Sequence, residues 1–349
     1  MKIGVITHTL AGRGGIEQVV RTQVSGLQRR GHEVRVVTGP DLGAGWLGRA
    51  GSAGALAFAR GSELRDCDVL LAHYQPAPLV AQRTGIPYVH YLHHPLRAAH
   101  PTTTQREHAG LRLWHLAGAG LAGVDRRSVA GAHSVAVPTA TVANEAARIH
   151  GIDAQVLPLG VDTDHFTPGP GTTKASSLLF VGRPEERYKH LDWAIEVARR
   201  LRRPLDVVGD AHPRESKDVE VRWLGYLSGS DLVLAYRSAA LLLFPSVHED
   251  FGLVPLEAMA CGLPVVGWDD GHGPSVTLAT GSGGVLVAPY DLDAFTAAAS
   301  DVLRIPGRRD RLSQAGPRWV RENFSVERHI DGLLEMLETA AGSRAAVSR

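Results

Sequence analysis

The sequence predicts an α/β protein built from two doubly wound, Rossmann-like domains, and three observations predict it. Short apolar runs of strand length alternate with amphipathic helical patterns through most of the 349 residues. The alternation starts afresh after a turn-rich stretch, Gly160-Val161-Asp162-Thr163-Asp164-His165-Phe166-Thr167-Pro168-Gly169-Pro170-Gly171, which sustains neither helix nor strand. A hydrophobic content of 44% over this length suffices for two cores of ordinary size.

In the first half, strand-like runs fall at 3–7, 34–38, 69–73, 88–92, 134–138 and 155–158, with a helical pattern at 16–30. Residues 41–61, rich in Gly and Ala, and 97–130, with the amphipathic Arg112-Leu113-Trp114-His115-Leu116, interrupt the alternation. The second half repeats it with strands at 177–181, 205–209, 221–224, 240–245, 265–268 and 285–287, and helices at 192–202, 231–239 and 292–303. A last helical pattern runs over 318–337, and residues 340–349 are expected to fray. These signals set domains at 1–160 and 176–316, a linker at 161–175 and a C-terminal helix at 317–340.

Composition excludes disordered, collagenous and membrane-spanning classes. The start, Met1-Lys2-Ile3-Gly4-Val5-Ile6-Thr7, lacks the apolar stretch and cleavage site of a signal peptide, so a cytoplasmic protein is expected. Cys67 and Cys261 are too few for a disulfide framework, and Cys261 reads as a small buried hydrophobe. Net charge is +1, yet residues 1–160 carry 16 Lys and Arg against 10 Asp and Glu, while residues 161–349 carry 21 against 26. The basic half is open to two readings, steering of an anionic acceptor or membrane surface, or the habit of an Arg-rich genome. A nucleic-acid role lacks interleaved aromatics and a recognition motif.

The densest chemistry lies in His248-Glu249-Asp250-Phe251-Gly252-Leu253-Val254-Pro255-Leu256-Glu257-Ala258-Met259-Ala260-Cys261-Gly262-Leu263-Pro264-Val265-Val266. Proline is tolerated only in a first helical turn, so Pro255 sets a helix start near 252–254, and Gly262 suits its C-terminal cap. Glu249 then precedes the helix and Glu257 lies inside it. The first-turn amides and the positive end of the macrodipole attract a diphosphate near Phe251, Gly252 and Leu253. Carboxylates on either side accept hydrogen bonds from vicinal hydroxyls. A glycosidase pair would flank one bond at about 5–9.5 Å. Eight helical positions span about 12 Å, which fits two ends of one ligand better.

Glu249, seven residues and Glu257, followed by Ala-Met-Ala-Cys-Gly-Leu-Pro-Val, closely resembles the signature of retaining glycosyltransferases of the GT-B fold, family 4 (glycosyl transferases group 1). The resemblance implies two Rossmann-like domains facing a central cleft, with the last helix crossing back to the N-terminal domain. It implies that Glu249 binds donor-sugar hydroxyls and Glu257 the nucleotide ribose. Phe180-Val181-Gly182-Arg183, six residues before Lys189, follows a strand and supplies two cations beside a Gly turn. Arg offers a bidentate fork and Lys a compact charge for a leaving diphosphate. Arg183 and Lys189 match the family's Arg and Lys for that task.

Gly12-Arg13-Gly14-Gly15-Ile16-Glu17 follows the first strand and opens a helix, where glycines let amides approach an anion. A dinucleotide fingerprint would need a third Gly where Glu17 stands, which ranks NAD low. The run resembles the family's N-terminal loop, which places Gly14 and Gly15 toward the donor diphosphate. His73 and His93 end strands, where open α/β sheets bind ligands, and His93 corresponds to the family's His beside the donor sugar. Seven of the 17 histidines lie between His73 and His115, which raises a metal, but His93 and His94 are adjacent and lack helical ligand spacing. No metal and no cofactor beyond the nucleotide-sugar co-substrate are expected.

Trp223-Leu224-Gly225-Tyr226-Leu227 resembles the loop that seats the nucleotide base, which assigns Gly225, Tyr226 and Leu227 to the nucleotide. Two departures stand out. Ser275 replaces the Glu of Gly-Gly-x-Pro-Glu, and Leu159 the Asn of Pro-Asn-Gly-Val-Asp. The expected function is metal-independent, retaining transfer of a hexose or related sugar from a UDP- or GDP-sugar to a hydroxyl acceptor, a small molecule or natural product. A lipid or polysaccharide-precursor acceptor remains the alternative, with peripheral membrane contact through the basic half and residues 97–130. A non-catalytic nucleotide-binding subunit is the alternative of another class, because fold alone does not fix function.

Overall fold

The computed structural model describes residues 1–8, 10, 14–40, 56, 61–95, 122–169, 176–210, 218–279 and 282–347. Most of the expected acceptor-side segments, 41–55, 57–60 and 96–121, and residues Gly12 and Arg13 lie outside the described residues. The chain divides into two compact units, Met1–Gly160 with Val326–Arg349, and Val161–Ser325.

In the first unit, strands β1 (Lys2–Thr7), β2 (Glu33–Thr38), β3 (Val69–His73), β4 (Tyr88–Tyr91), β5 (Ser134–Val137) and β6 (Gln155–Val156) form one sheet in the order β2-β1-β3-β4-β5-β6. Every pair is parallel; Val5 lies opposite Val36 on one side and Leu71 on the other. Parallel strands are covered on both faces, which explains why β1 and β3 are apolar almost throughout, with Ile3, Val5, Leu70 and Leu71 fully buried. Helices α1 (Gly15–Arg29), α2 (Ala77–Thr84) and α3 (Ala140–His150) follow β1, β3 and β5. A further helical stretch covers 122–130.

In the second unit, β7 (Leu178–Val181), β8 (Leu205–Val208), β9 (Val221–Gly225), β10 (Leu241–Phe244), β11 (Val265–Trp268) and β12 (Gly284–Val287) are again all parallel, in the order β12-β11-β10-β7-β8-β9. Counted from its own first strand this is 6-5-4-1-2-3, the order of dinucleotide-binding domains. Its helices are α4 (Leu191–Leu201), α5 (Gly229–Ser238), α6 (Leu253–Ala260), α7 (Gly273–Thr277), α8 (Leu292–Arg304) and α9 (Arg308–Asn323). Phe180, Trp268 and Phe295 anchor the core between the sheet, α4 and α8.

The expected single helix at the C-terminus is two helices. Pro317, a residue more usual in a first turn, lies within α9, and the break falls at Phe324. There the backbone leaves helical geometry, the Phe324 carbonyl accepts from the Val161 N–H at 2.7 Å, and Val161 pairs with Ser325. Helix α10 (Val326–Val347) then belongs to the first unit and packs on α1, β3 and β4. Its buried face carries Ile330, Leu333, Met336 and Leu337. Gly26 of α1 makes room: a Cβ there would stand 2.6 Å from Ile330 Cγ1.

The signature helix behaves as its sequence dictates. Gly252 is its N-cap with φ +91, Pro255 falls in the first turn, and Gly262, at φ +78, ends it. The Gly262 and Leu263 amides donate back to Met259 and Ala258, a Schellman-type closure. Helix α6 is buried nearly all round because α9 covers it; the Gly316 Cα hydrogens face the Met259 carbonyl, where a Cβ would come within 2.8 Å. Both cysteines are free and buried, and burial pushes the Cys261 thiol up to about 12.

Candidate active site

Ligands of open α/β sheets bind beyond the carboxyl ends of the strands, where the strand order reverses. In the second unit that point lies between β7 and β10. Directly after β7 come Gly182 and Arg183, and after β10 comes the segment with Glu249. The fold therefore gathers the expected cations and the first signature carboxylate at one place.

Lys189 and Glu249, sixty residues apart, meet there. The Lys189 Nζ lies 2.5 Å from Glu249 Oε2, with side chains 13% and 20% exposed. The ammonium sits over the rings of Tyr188 and Phe244, at 4.9 and 5.8 Å from their centroids, which fixes a flexible side chain by packing and cation–π attraction. The Val247 amide donates to the Tyr188 carbonyl at 2.9 Å, joining the two loops through their backbones. Burial, with Glu249 and Glu186 beside it, holds the Tyr188 phenol far above its usual range, so it is neutral. Sequence reading missed Tyr188 and Phe244, because ring-over-ammonium packing leaves no spacing signal.

Arg183 occupies a different environment. It is 45% exposed and pairs with Glu186 at 2.6 Å, three positions along the same turn. A surface pair of this kind is weak, so Arg183 is available to a stronger anion. Glycines hold the turn. Gly209 adopts φ +152, and a Cβ there would fall 2.0 Å from the Gly182 carbonyl oxygen. Gly209→Ala is thus expected to displace the Gly182-Arg183 turn and destabilise the protein by on the order of 2 kcal/mol or more, measured by urea unfolding.

Glu257 lies inside α6, 4% exposed, where the Tyr236 hydroxyl donates to its Oε2 at 2.9 Å. Tyr236, from α5, is fully buried; burial and then the Glu257 charge push its phenol well above the usual range, so it remains a donor. The amides of the first α6 turn have no partner within the helix, and Pro255 contributes none. Phe251 offers backbone only, since its side chain is buried against the Phe324 ring at 5.9 Å between centroids. Gly273 must lack a side chain, because a Cβ would stand 2.4 Å from the Phe251 backbone. Its amide donates to the Glu249 carbonyl at 2.7 Å and so fixes the loop carrying that carboxylate.

Gly225, at φ +68, ends β9 and accepts a 2.9 Å hydrogen bond from the Gly209 amide; Tyr226 follows, 41% exposed. Gly225, Tyr226 and Leu227 thus lie at and just beyond the carboxyl end of the edge strand. Ser275 takes a local role: its hydroxyl accepts from the Gly271 amide at 2.8 Å. A depression of about 370 Å³ lined by Ser176, Arg203 and Pro204 lies at the amino ends of β7 and β8, the wrong end of the sheet for a ligand of this fold.

Residues 175–304 match the family described as glycosyl transferases group 1, and residues 13–165 match glycosyltransferase family 4. A D-inositol 3-phosphate glycosyltransferase of Gordonia bronchialis is 31% identical over 337 residues, covering 84% of this chain and 71% of that relative. The chain belongs to glycosyltransferase family 4. Sucrose-phosphate synthase (tll1590) from Thermosynechococcus elongatus superposes with a TM-score of 0.81 at 19% identity, covering 98% of this chain and 99% of that one. Anabaena Alr3699/HepE in complex with UDP-glucose gives 0.73 at 18% identity, covering 97% and 100%. At those identities the likeness is one of fold, and the fold of this glycosyltransferase is GT-B, as expected.

The first unit of the glycosyltransferase carries the remaining expected residues. Gly14 is the N-cap of α1, and Glu17 folds back over it: a Cβ on Gly14 would meet Glu17 Oε2 at 2.4 Å. The positive end of α1 therefore already faces a carboxylate, with His8 Nε2 at 3.8 Å from it. Gly15 meets nothing within 4 Å. His93, 6% exposed, faces His73, with Nε2 3.2 Å from His73 Nδ1. Burial, then His73, His94, His90 and His329, hold the His93 imidazolium well below the ordinary range. His93 is consequently a neutral ring at neutral pH, suited to hydrogen bonding rather than to carrying charge.

Three neighbours share this condition. Burial brings His73 and His90 down to about 3 and His329 to about 4. His329 Nδ1 lies 2.6 Å from the Pro158 carbonyl, which makes it the protonated nitrogen and leaves Nε2 to accept from Gln23 at 2.9 Å. Below the unfolded value of 6.5, the unfolded chain takes protons that these folded sites refuse. Stability is expected to be unaffected by them above about pH 6.5 and to fall as pH drops from there toward 4. Urea midpoints across that range check this, and His329→Gln should flatten the slope.

Proposed function

We propose that this protein transfers a sugar from a nucleoside diphosphate donor to a hydroxyl acceptor with retention of anomeric configuration. The observation that carries the reading is the partly buried Lys189–Glu249 pair at the strand-order reversal, followed by Glu257 in the next helix. One cation, two carboxylates and the α6 amides form a graded site for one ligand with an anionic middle and hydroxylated ends. Relatives named D-inositol 3-phosphate glycosyltransferase, and a neighbour in complex with UDP-glucose, favour a uridine donor and a small polar acceptor.

Lys189 and Arg183 stabilise charge developing on the leaving diphosphate, joined by the amides of Leu253 and Val254. Glu249 accepts hydrogen bonds from donor-sugar hydroxyls, and Glu257, oriented by Tyr236, holds the ribose diol. The bond from the anomeric carbon to phosphate oxygen breaks, and the bond to the acceptor oxygen forms on the same face. The acceptor proton passes to the departing phosphate oxygen, so no protein nucleophile is required. His93 and the amide of Gly15 serve as neutral hydrogen-bonding groups of the first unit. Gly225, Tyr226 and Leu227 border the nucleotide base. No metal enters this step, because Lys189, Arg183 and the amides carry its charge.

Incubation of the purified enzyme with UDP-glucose and inositol phosphates, followed by proton NMR of the product, tests the reading. An α-linked glycoside from the α-linked donor is expected; a β-linked product would overturn retention, and hydrolysis without transfer would overturn this acceptor class.

A further inference from the structure

Beyond the carboxyl ends of β10, β11 and β12, a second cluster forms that the transfer chemistry does not use. His248 Nδ1 lies 2.7 Å from His272 Nε2, and the two rings stand at 82° with centroids 4.5 Å apart. Asp270 ties their two segments together. Its Oδ2 accepts the His248 amide at 2.8 Å and its Oδ1 the His272 amide at 3.1 Å. One ligand atom from each of the three falls within 4.8 Å of the other two. Among the described residues, no other His, Cys, Asp and Glu group of three or more meets that condition.

The backbone is shaped to hold this arrangement. His248 adopts φ +51, a left-handed conformation that costs on the order of 1 kcal/mol for a residue with a side chain. Gly271, at φ +77, turns the chain so that Asp270 and His272 converge, and Ser275 ties its amide. Tyr290 closes the side, its hydroxyl 3.4 Å from His248 Nε2. Two imidazole nitrogens this close need a proton or a cation between them. Ligands about 2.05 Å from a tetrahedral ion are about 3.3 Å apart, so the nitrogens need part by only about half an ångström.

We infer that His248, Asp270 and His272 bind a borderline divalent cation of the zinc class, which braces the loop carrying Glu249. Two imidazoles and one carboxylate are a ligand set for Zn²⁺, Co²⁺ or Ni²⁺ rather than for Mg²⁺, which prefers oxygen. The carboxylate offsets half the charge of the ion, and its backbone hydrogen bonds orient it. A fourth position remains for water. The site supplies no step of sugar transfer and does not rest on that reading. Its effect is positional: His248 precedes Glu249, and Gly273, which donates to the Glu249 carbonyl, follows His272.

Untagged full-length protein, dialysed against chelator, is titrated with Co²⁺ and followed by visible absorption, then back-titrated with Zn²⁺, with Mg²⁺ as the comparison. One equivalent of Co²⁺ with a tetrahedral spectrum, displaced by Zn²⁺ and untouched by Mg²⁺, is the expected result. His272→Ala and, separately, Asp270→Asn should each weaken Zn²⁺ at least tenfold. Circular dichroism matched to wild type shows that the variants fold. No uptake by the wild type, or uptake unchanged in both variants, overturns the site.

Discussion

Lys189→Ala is expected to lower kcat/KM by about 10²–10³-fold, the loss of a largely enclosed group that stabilises charge forming in the transition state. The size follows from placement. The ammonium is 13% exposed, pressed over two rings and paired with Glu249, so water cannot replace it efficiently. Its removal also leaves a carboxylate, 20% exposed, without its cation. Lys189→Arg should recover little, because a guanidinium does not fit a slot shaped for a point charge between Tyr188 and Phe244. Arg183→Ala, at an exposed position, should cost less and leave the fold intact. Steady-state rates for the three variants with one donor check the ranking; equal losses for Lys189→Ala and Arg183→Ala would contradict it.

Ile330→Asp is expected to unfold the first unit at ordinary temperature. Ile330 is 1% exposed and seated against Gly26 of α1, so the variant buries a charge in an apolar contact. That costs more than about 4 kcal/mol, a large share of the stability of an ordinary domain. Ile330→Val, which removes one methylene, should cost about 1 kcal/mol. Gly26→Leu should approach the Asp variant, since its side chain would enter space that Ile330 fills. Urea unfolding followed by tryptophan fluorescence and circular dichroism ranks them. A mild Ile330→Asp would mean that α10 is not part of the first unit's core.

The two parallel sheets were legible because most of the strands are short apolar runs bounded by turn residues; β2 and β9, which carry charged residues, and the exposed two-residue β6 are exceptions. Pro255 and Gly262 marked the ends of α6 to within a residue or two, since each has one conformational preference. In the C-terminal region the helical pattern was legible but the break within it was not. The division between α9 and α10 depends on Val161 reaching Phe324 and Ser325 from far away in sequence, which no local pattern records. Helices α2 and α3 also escaped, being short and containing several Ala.

Of the residues expected in the site, the structure brings Lys189 and Glu249 together and places Glu257 in α6 and Arg183 in the turn after β7. Their partners were not legible. Tyr236 beneath Glu257 and the two rings around Lys189 come from separate elements, brought together by sheet order. The opposite surprise is Glu17. Its position argued against a dinucleotide fingerprint, and its carboxylate also covers Gly14, which sequence reading had offered to a diphosphate. The histidines between His73 and His115 suggested a metal by number alone. Of these, His73, His90 and His93 are buried neutral rings, whereas the cluster with ligand geometry, His248, Asp270 and His272, draws on two loops after β10 and β11.

The central claim is that the second unit holds a nucleoside diphosphate through the turn after β7 and the helix after β10. Thermal unfolding of wild type and Arg183→Ala, with UDP, GDP, dTDP and ADP each in turn, tests it most directly. A ligand at about 100 times its dissociation constant stabilises by about 2.7 kcal/mol, a rise in Tm that is easily read. One nucleotide should raise the wild-type Tm, and the rise should shrink in Arg183→Ala while the ligand-free Tm stays unchanged. No rise with any nucleotide, or an equal rise in both proteins, would contradict the account.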